Sequence, residues 1–549
     1  MNFKKIRFIA LVFGLFLFLA ACAGNGTPST GDTTGNNDNT ENNETNGDNN
    51  NNNSENGGDA DQDLIIAVPA DLSSLSVQGS NDVPSSNVKE NIFETLVYLD
   101  ENAEPQPRLA TNWELIDDTT WHFDIREGVK FHDGSDLNAE VVKATFDRLI
   151  DPEIGSAGAF LLGSVDTIEV VSDYVVEINL KYPFGPFINH LAHGSTAIMS
   201  GEIIAADAEA VANGEDIDSY ISSNPMGTGP FKLEKRTPGD ETVLTKNEEY
   251  WGDPVALNSI TYKVVPEVDT RIAELQTGAV HIADAIGPQN VNRVNDIADV
   301  SVLEEESTSI NFVGFNTQVE PFDNPLVRQA ITLAIDQQEI VEGIYYGTSV
   351  PAVGPIPPAV FGFDPNIEGL GYDMDKAKEL MAEAGYADGF EVTLKTNHEN
   401  TQRMDIAIYI EYALSELGIT VNVEGMEFGA FVDDAAGGNT EMFILGWSTP
   451  TMDGDYATHA LFHSDNHGQP GNMTFFDNAE IDEILDTARQ ESDPDVRLDL
   501  YSQAQKMLVE QAPMVYLNHT DYIVGVSDSV SGFGVAPNGI YQFRGVSLQ

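Results

Sequence analysis

The segment Glu391-Val392-Thr393-Leu394-Lys395 is followed by apolar residues at three- and four-residue spacing over 406–417, and then by Ile419-Thr420-Val421-Asn422-Val423. The first and last pieces read as strands and the middle one as a helix. Met442-Phe443-Ile444-Leu445 supplies another strand, and residues 326–344, 376–384, 481–488 and 496–509 carry the same helical spacing. Strands alternating with helices imply an α/β layer architecture, because each sheet face must be covered.

The pattern continues upstream. Leu64-Ile65-Ile66-Ala67-Val68 is an apolar run of the kind found in buried strands. Trp121-His122-Phe123-Asp124-Ile125-Arg126 alternates as a half-buried strand does, and Glu127-Gly128 then turns the chain. Residues 138–150 read as a helix with Val141, Val142, Thr145, Phe146 and Leu149 on one side, stopped by Asp151-Pro152. A strand over 175–180 precedes a turn at 183–186. The stretch 64–549 is too long for one simple core.

The N-terminal residues differ in kind. Lys4, Lys5 and Arg7 precede an uncharged apolar run over 8–21. It is shorter than the roughly 20 residues that span a bilayer core, but it suits the h-region of a secretory signal. Leu19-Ala20-Ala21-Cys22 sets small residues before the only cysteine. An internal disulfide is therefore excluded, and no later cysteine is left for catalysis. Residues 23–63 are almost entirely Asn, Gly, Thr, Ser, Asp and Glu. With nothing apolar to bury, they are expected to form a disordered tether with an r.m.s. reach of roughly 35 Å.

The chain holds 89 acidic and 26 basic residues, a formal net charge of −63. Few of these charges lie before residue 64, so the acidity belongs to the folded surface. Such a field repels phosphates and anionic headgroups, which argues against a nucleic-acid partner. It also strains the fold by self-repulsion until salt screens it, pointing to a saline or alkaline habitat.

Several segments taken in order resemble the extracytoplasmic solute-binding proteins of family 5, the oligopeptide-, dipeptide-, glutathione- and nickel-binding components of ABC importers. They are Leu109-Ala110 and Trp121 onward to Phe131-His132-Asp133-Gly134; Gly227-Thr228-Gly229-Pro230-Phe231; Asn247 with Tyr250-Trp251; and Arg271, Leu275 and Gly278. Phe315-Asn316-Thr317, Pro321-Phe322, Val327-Arg328-Gln329-Ala330, Ala334-Ile335-Asp336 and Gly446-Trp447 follow. The small residues before Cys22 likewise resemble a bacterial lipoprotein signal, in which the thiol is acylated and cleavage makes the cysteine the new N-terminus.

The resemblance implies a two-lobed, periplasmic-binding-protein-like clamshell with an additional small domain and the ligand enclosed between the lobes. Mapped onto this chain, 1–21 is the signal and 22–63 the lipidated cysteine and tether. Lobe one takes 64–100, 224–316 and 513–549, the small domain 101–223, and lobe two 317–512. The implied function is capture of a small peptide outside the membrane, without catalysis or cofactor. A monomeric receptor on the outer face of the cytoplasmic membrane would pass the peptide to permease and ATPase subunits.

The residues also speak for themselves. Gly227 and Gly229 beside Pro230 suit a sharp entry into a strand and let a backbone approach a ligand. Arg328 and Asp336, eight residues apart on an expected helix, read as serving the fold. In peptide-binding relatives the ligand lies extended and pairs with backbone, a form of strand addition. Here Phe443-Ile444-Leu445-Gly446-Trp447-Ser448 resembles that strand, with Gly446 admitting the ligand chain and Trp447 giving a flat wall. Such relatives place an aspartate two residues after the position of Ser448, where this chain has Pro450. Asp453 and Asp455, next to Tyr456, are the nearest substitutes to pair with a ligand amino group, and this shifted pattern resembles a subgroup assigned to glutathione. Ser85, Asn87, Thr228, Asn316 and Thr317 are the further polar candidates.

Two rival functions stand beside this one. His459, His463 and His467 recur every four residues and could supply imidazoles to nickel or another metal complex, although the residues around His467 read as a loop. His190 and His193 form a looser pair. An exported hydrolase lacks support, since no Gly-x-Ser-x-Gly elbow or His-Glu-x-x-His helix is present.

Overall fold

The computed structural model describes residues 62–100, 102–468 and 471–549. The expected signal, Cys22 and nearly all of the tether lie outside the described residues. An 11-stranded sheet organises the molecule. Its order runs Thr420–Met426, Glu391–Asn397, Met442–Ser448, Val300–Phe315, Met514–Ser527, Ile282–Ala283, Asp63–Val68, Ser259–Val264, Glu241–Lys246 and Phe231–Thr237, with Ser349–Pro351 beside Met514–Ser527.

The apolar run at the start of the domain becomes Asp63–Val68, an inner strand parallel to both neighbours. An inner strand is covered on two faces, which is why it does not alternate. Glu391–Asn397 pairs in parallel with Thr420–Met426 and Met442–Ser448, and helix Thr401–Ser415 makes the crossover. Apolar residues gather in several cores. One holds Val313, Ile331, Leu394, Ile410, Leu414 and Ile444, and a second on the other sheet face holds Phe312, Phe443, Phe462 and Leu508. A third builds on Leu64, Ile92, Phe231 and Ile260, reaching Val546 and Leu548 at the far end of the chain. A fourth covers a separate four-stranded sheet and includes Phe123, Phe146, Ile178 and Leu191.

Val300–Phe315 and Met514–Ser527 are the long strands that join the two lobes. Their early and late ends, from Val300↔Ser527 to Glu306↔Asp521, pair beside the first lobe. Their other ends carry Val313, Phe315, Val515 and Leu517 into the core of the second. The pairing slips between Glu306 and Ile310, which concentrates bending at the crossover. The change of core therefore falls inside both strands, several residues from the cuts drawn at 316/317 and 512/513.

Local rules account for several details. Helix Ala139–Ile150 starts where Asn138 Oδ1 accepts the Val141 amide at 3.0 Å, and it buries Val142, Thr145, Phe146 and Leu149. The helix expected over 326–344 is two helices, Pro325–Ala334 and Gln337–Gly343. Asp336 accepts the Gln338 amide at 2.9 Å, so it caps a new helix instead of continuing the old one. Arg328 is structural: its guanidinium donates to the carbonyls of Phe322 at 2.7 Å, Gln511 at 2.7 Å and Ala512 at 3.1 Å. Gly227 and Gly229 do admit a close backbone, but it is that of the chain itself. A Cβ at either position would strike the Ile92 or Asn91 carbonyl at the end of helix Val83–Ile92. No helix among the described residues is long and apolar enough to cross a membrane.

Candidate ligand-binding cleft

A cavity of about 880 Å³ opens between the lobes, within the size range of ligand sites. Helix Val83–Ile92 supplies one wall. Asp82 caps it by accepting the Ser85 amide at 2.9 Å, and the helical repeat then turns Ser86, Lys89 and Glu90 to the cavity. Residues 534–538 and Tyr98 with Asp100 extend this wall. Residues 358–363, Pro450, Met452 and Leu498 form the opposite side, and Asn189 and His193 close one end.

The charges are uneven. Lys89 is buried with its amine donating to Ser80 O at 2.6 Å and Ser76 O at 3.3 Å, and burial pulls its pKa down to about 8. Glu90 pairs with Arg108 at 2.7 Å, while the Arg108 guanidinium lies 5.2 Å from the centre of the Tyr98 ring. Glu305 and Glu306, on the joining strand, border the cavity. Burial, and then the Glu306 charge, raise the Glu305 carboxyl above its ordinary range. Asp521, the cross-strand partner of Glu306, is pushed up to about 6 by burial and by Glu304, Glu306 and Glu305. His193 accepts the Ser195 amide on Nδ1, and burial lowers it to about 4, so the ring is neutral near pH 7.

None of the peptide-site residues nominated from the sequence borders this cavity, and of the nominated histidines His193 does. Ser85 and Asn87 turn inward: Ser85 Oγ accepts the Ser73 amide at 2.9 Å, and Asn87 Oδ1 accepts the Tyr541 amide at 2.9 Å. Thr228 donates to Glu94 Oε2 at 2.8 Å. Asn316 Nδ2 donates to Gly438 O at 3.1 Å, and Thr317 Oγ1 donates to the Phe475 carbonyl at 3.0 Å, tying strand to loop. Gly446, Trp447 and Ser448 end the strand Met442–Ser448, paired with Asn311, Ile310 and Ser309. Trp447 stacks on Tyr456 with centroids 5.2 Å apart and donates to Tyr456 O at 3.1 Å; Phe160 lies 5.8 Å beyond.

Asp453 and Asp455 are both buried and already neutralised. Arg497 Nη2 donates to the two Asp453 oxygens at 2.7 and 2.9 Å, and Tyr501 adds a hydroxyl at 3.1 Å. Arg489 holds Asp455 through two bonds of 2.9 Å. Burial pushes the Asp455 carboxyl up, and the arginine overrides it, leaving the carboxyl below its ordinary range. As placed, neither carboxylate has a face to offer a ligand ammonium. Their segment does reach the cleft, through Pro450 and Met452. What sequence reasoning missed is the helix face next to Ser85 and the run Glu304-Glu305-Glu306; three consecutive acids on a strand were the available signal.

The histidines regroup. His459 and His463 stack 4.3 Å apart, and each Nε2 lies 3.4 Å from Asp486 Oδ1. His467 leaves the set, its Nε2 lying 3.0 Å from Phe476 O. Nδ1 of His463 accepts the Asp465 amide, and Nδ1 of His459 faces Asn466 Nδ2, each at 3.1 Å. Those donors place the remaining ring protons on Nε2, facing the carboxylate. His459, His463 and Asp486 thus bring three ligand-type atoms together, as the metal reading asks, and the buried His463 Nε2 has no hydrogen-bond partner. His190 Nδ1 lies 2.9 Å from Leu161 O and is likewise tied to the fold.

Comparison with known proteins gives this cleft a context. The glutathione-binding protein GsiB of Salmonella typhi is 31% identical over 498 residues, covering 89% of this chain and 95% of its own. The structure of DppA from Helicobacter pylori in complex with the peptide STSA is 29% identical, with a TM-score of 0.75 over 88% of this chain and 98% of that one. A dipeptide-binding protein from Pseudoalteromonas sp. SM9913 in complex with Met-Leu is 26% identical, with a TM-score of 0.76 over 89% and 100%. The model of bacterial extracellular solute-binding proteins, family 5, matches residues 104–469. With the two-lobed fold and an inter-lobe cavity in place, the chain belongs to the family 5 extracellular solute-binding proteins, transport receptors rather than enzymes.

Proposed function

We propose that this receptor captures short peptides outside the membrane and delivers them to the permease and ATPase subunits of an ABC importer. The observation that carries the reading is the pair Glu305 and Glu306, which border the cavity and make no ion pair with a described residue. A peptide's free amino group is the cation such a pair takes up through charge-assisted hydrogen bonds. The amine anchor thus moves from Asp453 and Asp455 to the joining strand. Trp447, Tyr456 and Phe160 supply an aromatic surface beyond it.

Calorimetry with penta-alanine and its N-acetyl form tests the anchor. The free amine is expected to bind at least tenfold more tightly, about 1.4 kcal/mol, and Glu305→Gln with Glu306→Gln should erase the difference. Equal binding of the two forms would remove the anchor.

Glutathione is the second reading, favoured by the relative that matches over 95% of its own length. It too has a free amino group, so mass spectrometry of ligand released from the purified, denatured protein separates the two. Cys22, acylated by at least two chains because one binds membranes only marginally, would keep a monomeric receptor at the outer face of the cytoplasmic membrane. Cys22→Ser is expected to release a binding-competent domain; its continued membrane association would refute the anchor.

A further inference from the structure

Two histidines of the second lobe stand apart from the cleft. His459 lies in the last turn of helix Gly454–Phe462 and His463 is the residue that ends it, so four-residue spacing sets both rings on one side. The neighbouring helix Ala479–Gln490 brings Asp486 against them. The two histidines are buried, 6% and 5% exposed, whereas Asp486 is exposed and opens the group to solvent. None of the three lines the cavity between the lobes.

Their spacing is that of a coordination sphere. Donor atoms about 2.1 Å from a tetrahedral metal stand about 3.4 Å from one another. Nε2 of each imidazole is 3.4 Å from Asp486 Oδ1, and all three atoms fall within 4.8 Å of one another. An N–H···O bond is normally about 2.7–3.2 Å, and His463 Nε2, although buried, makes none. Buried polar atoms left in that state are rare in native proteins. Charge points the same way. Asp482, Glu483 and Glu491 join Asp486 around a shallow depression that no lysine or arginine lines. Arg489, on the same helix, directs its guanidinium to Asp455.

We propose that His459, His463 and Asp486 bind one late first-row divalent metal ion, Zn²⁺ or Ni²⁺, as a resident of the second lobe and not as cargo. Two imidazoles and a carboxylate suit such ions, whereas Ca²⁺ and Mg²⁺ take oxygen ligands. Water completes the sphere on the exposed side. Coordination moves each ring proton from Nε2 to Nδ1. Asn466 meets the new His459 donor by turning its amide oxygen inward, and the Asp465 amide leaves His463, so loading re-forms the one-turn segment Ser464–Asn466. The ion ties the end of helix Gly454–Phe462 to its neighbour. That helix starts two residues after Met452 of the cleft wall, so the clamp stiffens the element that carries the wall.

Equilibrium dialysis of the full chain, stripped with a chelator and then exposed to Zn²⁺, Ni²⁺ or Ca²⁺, tests this. Molar NaCl in the buffer screens the acidic surface. One equivalent of Zn²⁺ or of Ni²⁺ is expected to bind and to raise the melting temperature, with Ca²⁺ doing neither. Asp486→Asn, at an exposed position, and His463→Ala should each weaken Zn²⁺ binding at least tenfold, with melting of the metal-free variants showing them folded. No uptake by the unaltered protein overturns the site, and needs no variant to fold. Uptake of Ca²⁺ equal to that of Zn²⁺ overturns it as well, since oxygen ligands alone would then suffice. So does Zn²⁺ uptake that is undiminished in folded Asp486→Asn, which would place the ion elsewhere.

Discussion

Asp453 and Asp455 are two residues apart and answer to different arginines, Arg497 and Arg489, which lie 44 and 34 positions downstream. A sequence displays the carboxylates but not the helices that fold back over them, so the arginine partner that each one carries was not legible. Removing one partner of a buried pair leaves a charge uncompensated. Asp453→Ala is therefore expected to lower unfolding free energy by about 3–5 kcal/mol, read by urea denaturation, while the folded fraction keeps its affinity for peptide. Asp521 makes the opposite electrostatic case. Its carboxyl, pushed up to about 6, keeps a proton in the folded state between about pH 4 and 6 that an exposed aspartate has lost. Stability from this group is present at the acid end and declines as pH rises through that window. A ligand ammonium favours the ionised form, so peptide affinity should rise between pH 5 and 7.5 in calorimetry. Asp521→Asn should flatten that rise.

At the scale of elements, regular pieces were legible where one force dominates. Strand Val175–Leu180 matches its reading residue for residue, and helix Ala139–Ile150 does so to within its cap. The break at Asp336 was written in the same residues as the helix around it, and apolar spacing outweighed the capping signal. Gly227 and Gly229 were legible as a close approach but not as an approach to the end of helix Val83–Ile92, since their partner lies far back in sequence. Gly227→Ala should push that helix away and lower stability by about 1–3 kcal/mol. Denaturant melts would check this. Because the helix carries Lys89 and Glu90 into the cavity, peptide affinity should fall with it.

At the scale of the molecule, the family was legible because its motifs recur in order along the chain, whereas the cleft is made by residues from stretches hundreds of positions apart. Composition alone carries one prediction here. With 89 acidic and 26 basic residues, the melting temperature should rise as NaCl goes from dilute to molar, because screening shortens the range of repulsion to about 3 Å; a falling melt would refute it. The joining strands, meanwhile, give each lobe its own core on a shared sheet. Deleting residues 541–549 should therefore expose the first lobe to protease while a fragment containing residues 310–517 survives.

That first lobe is completed by both ends of the domain. Gln62 and Leu548 exchange two hydrogen bonds, at 2.8 and 3.0 Å, and Val546 and Leu548 fill a core begun by Leu64 and Ile66. The consequence is one of timing during synthesis. The opening strand has its immediate neighbours within reach early, but its core cannot close until Val546 and Leu548 have left the ribosome. A nascent chain built this way stays open along its first lobe until residues 546–548 emerge, and an unfolded chain is the state that can be threaded across a membrane.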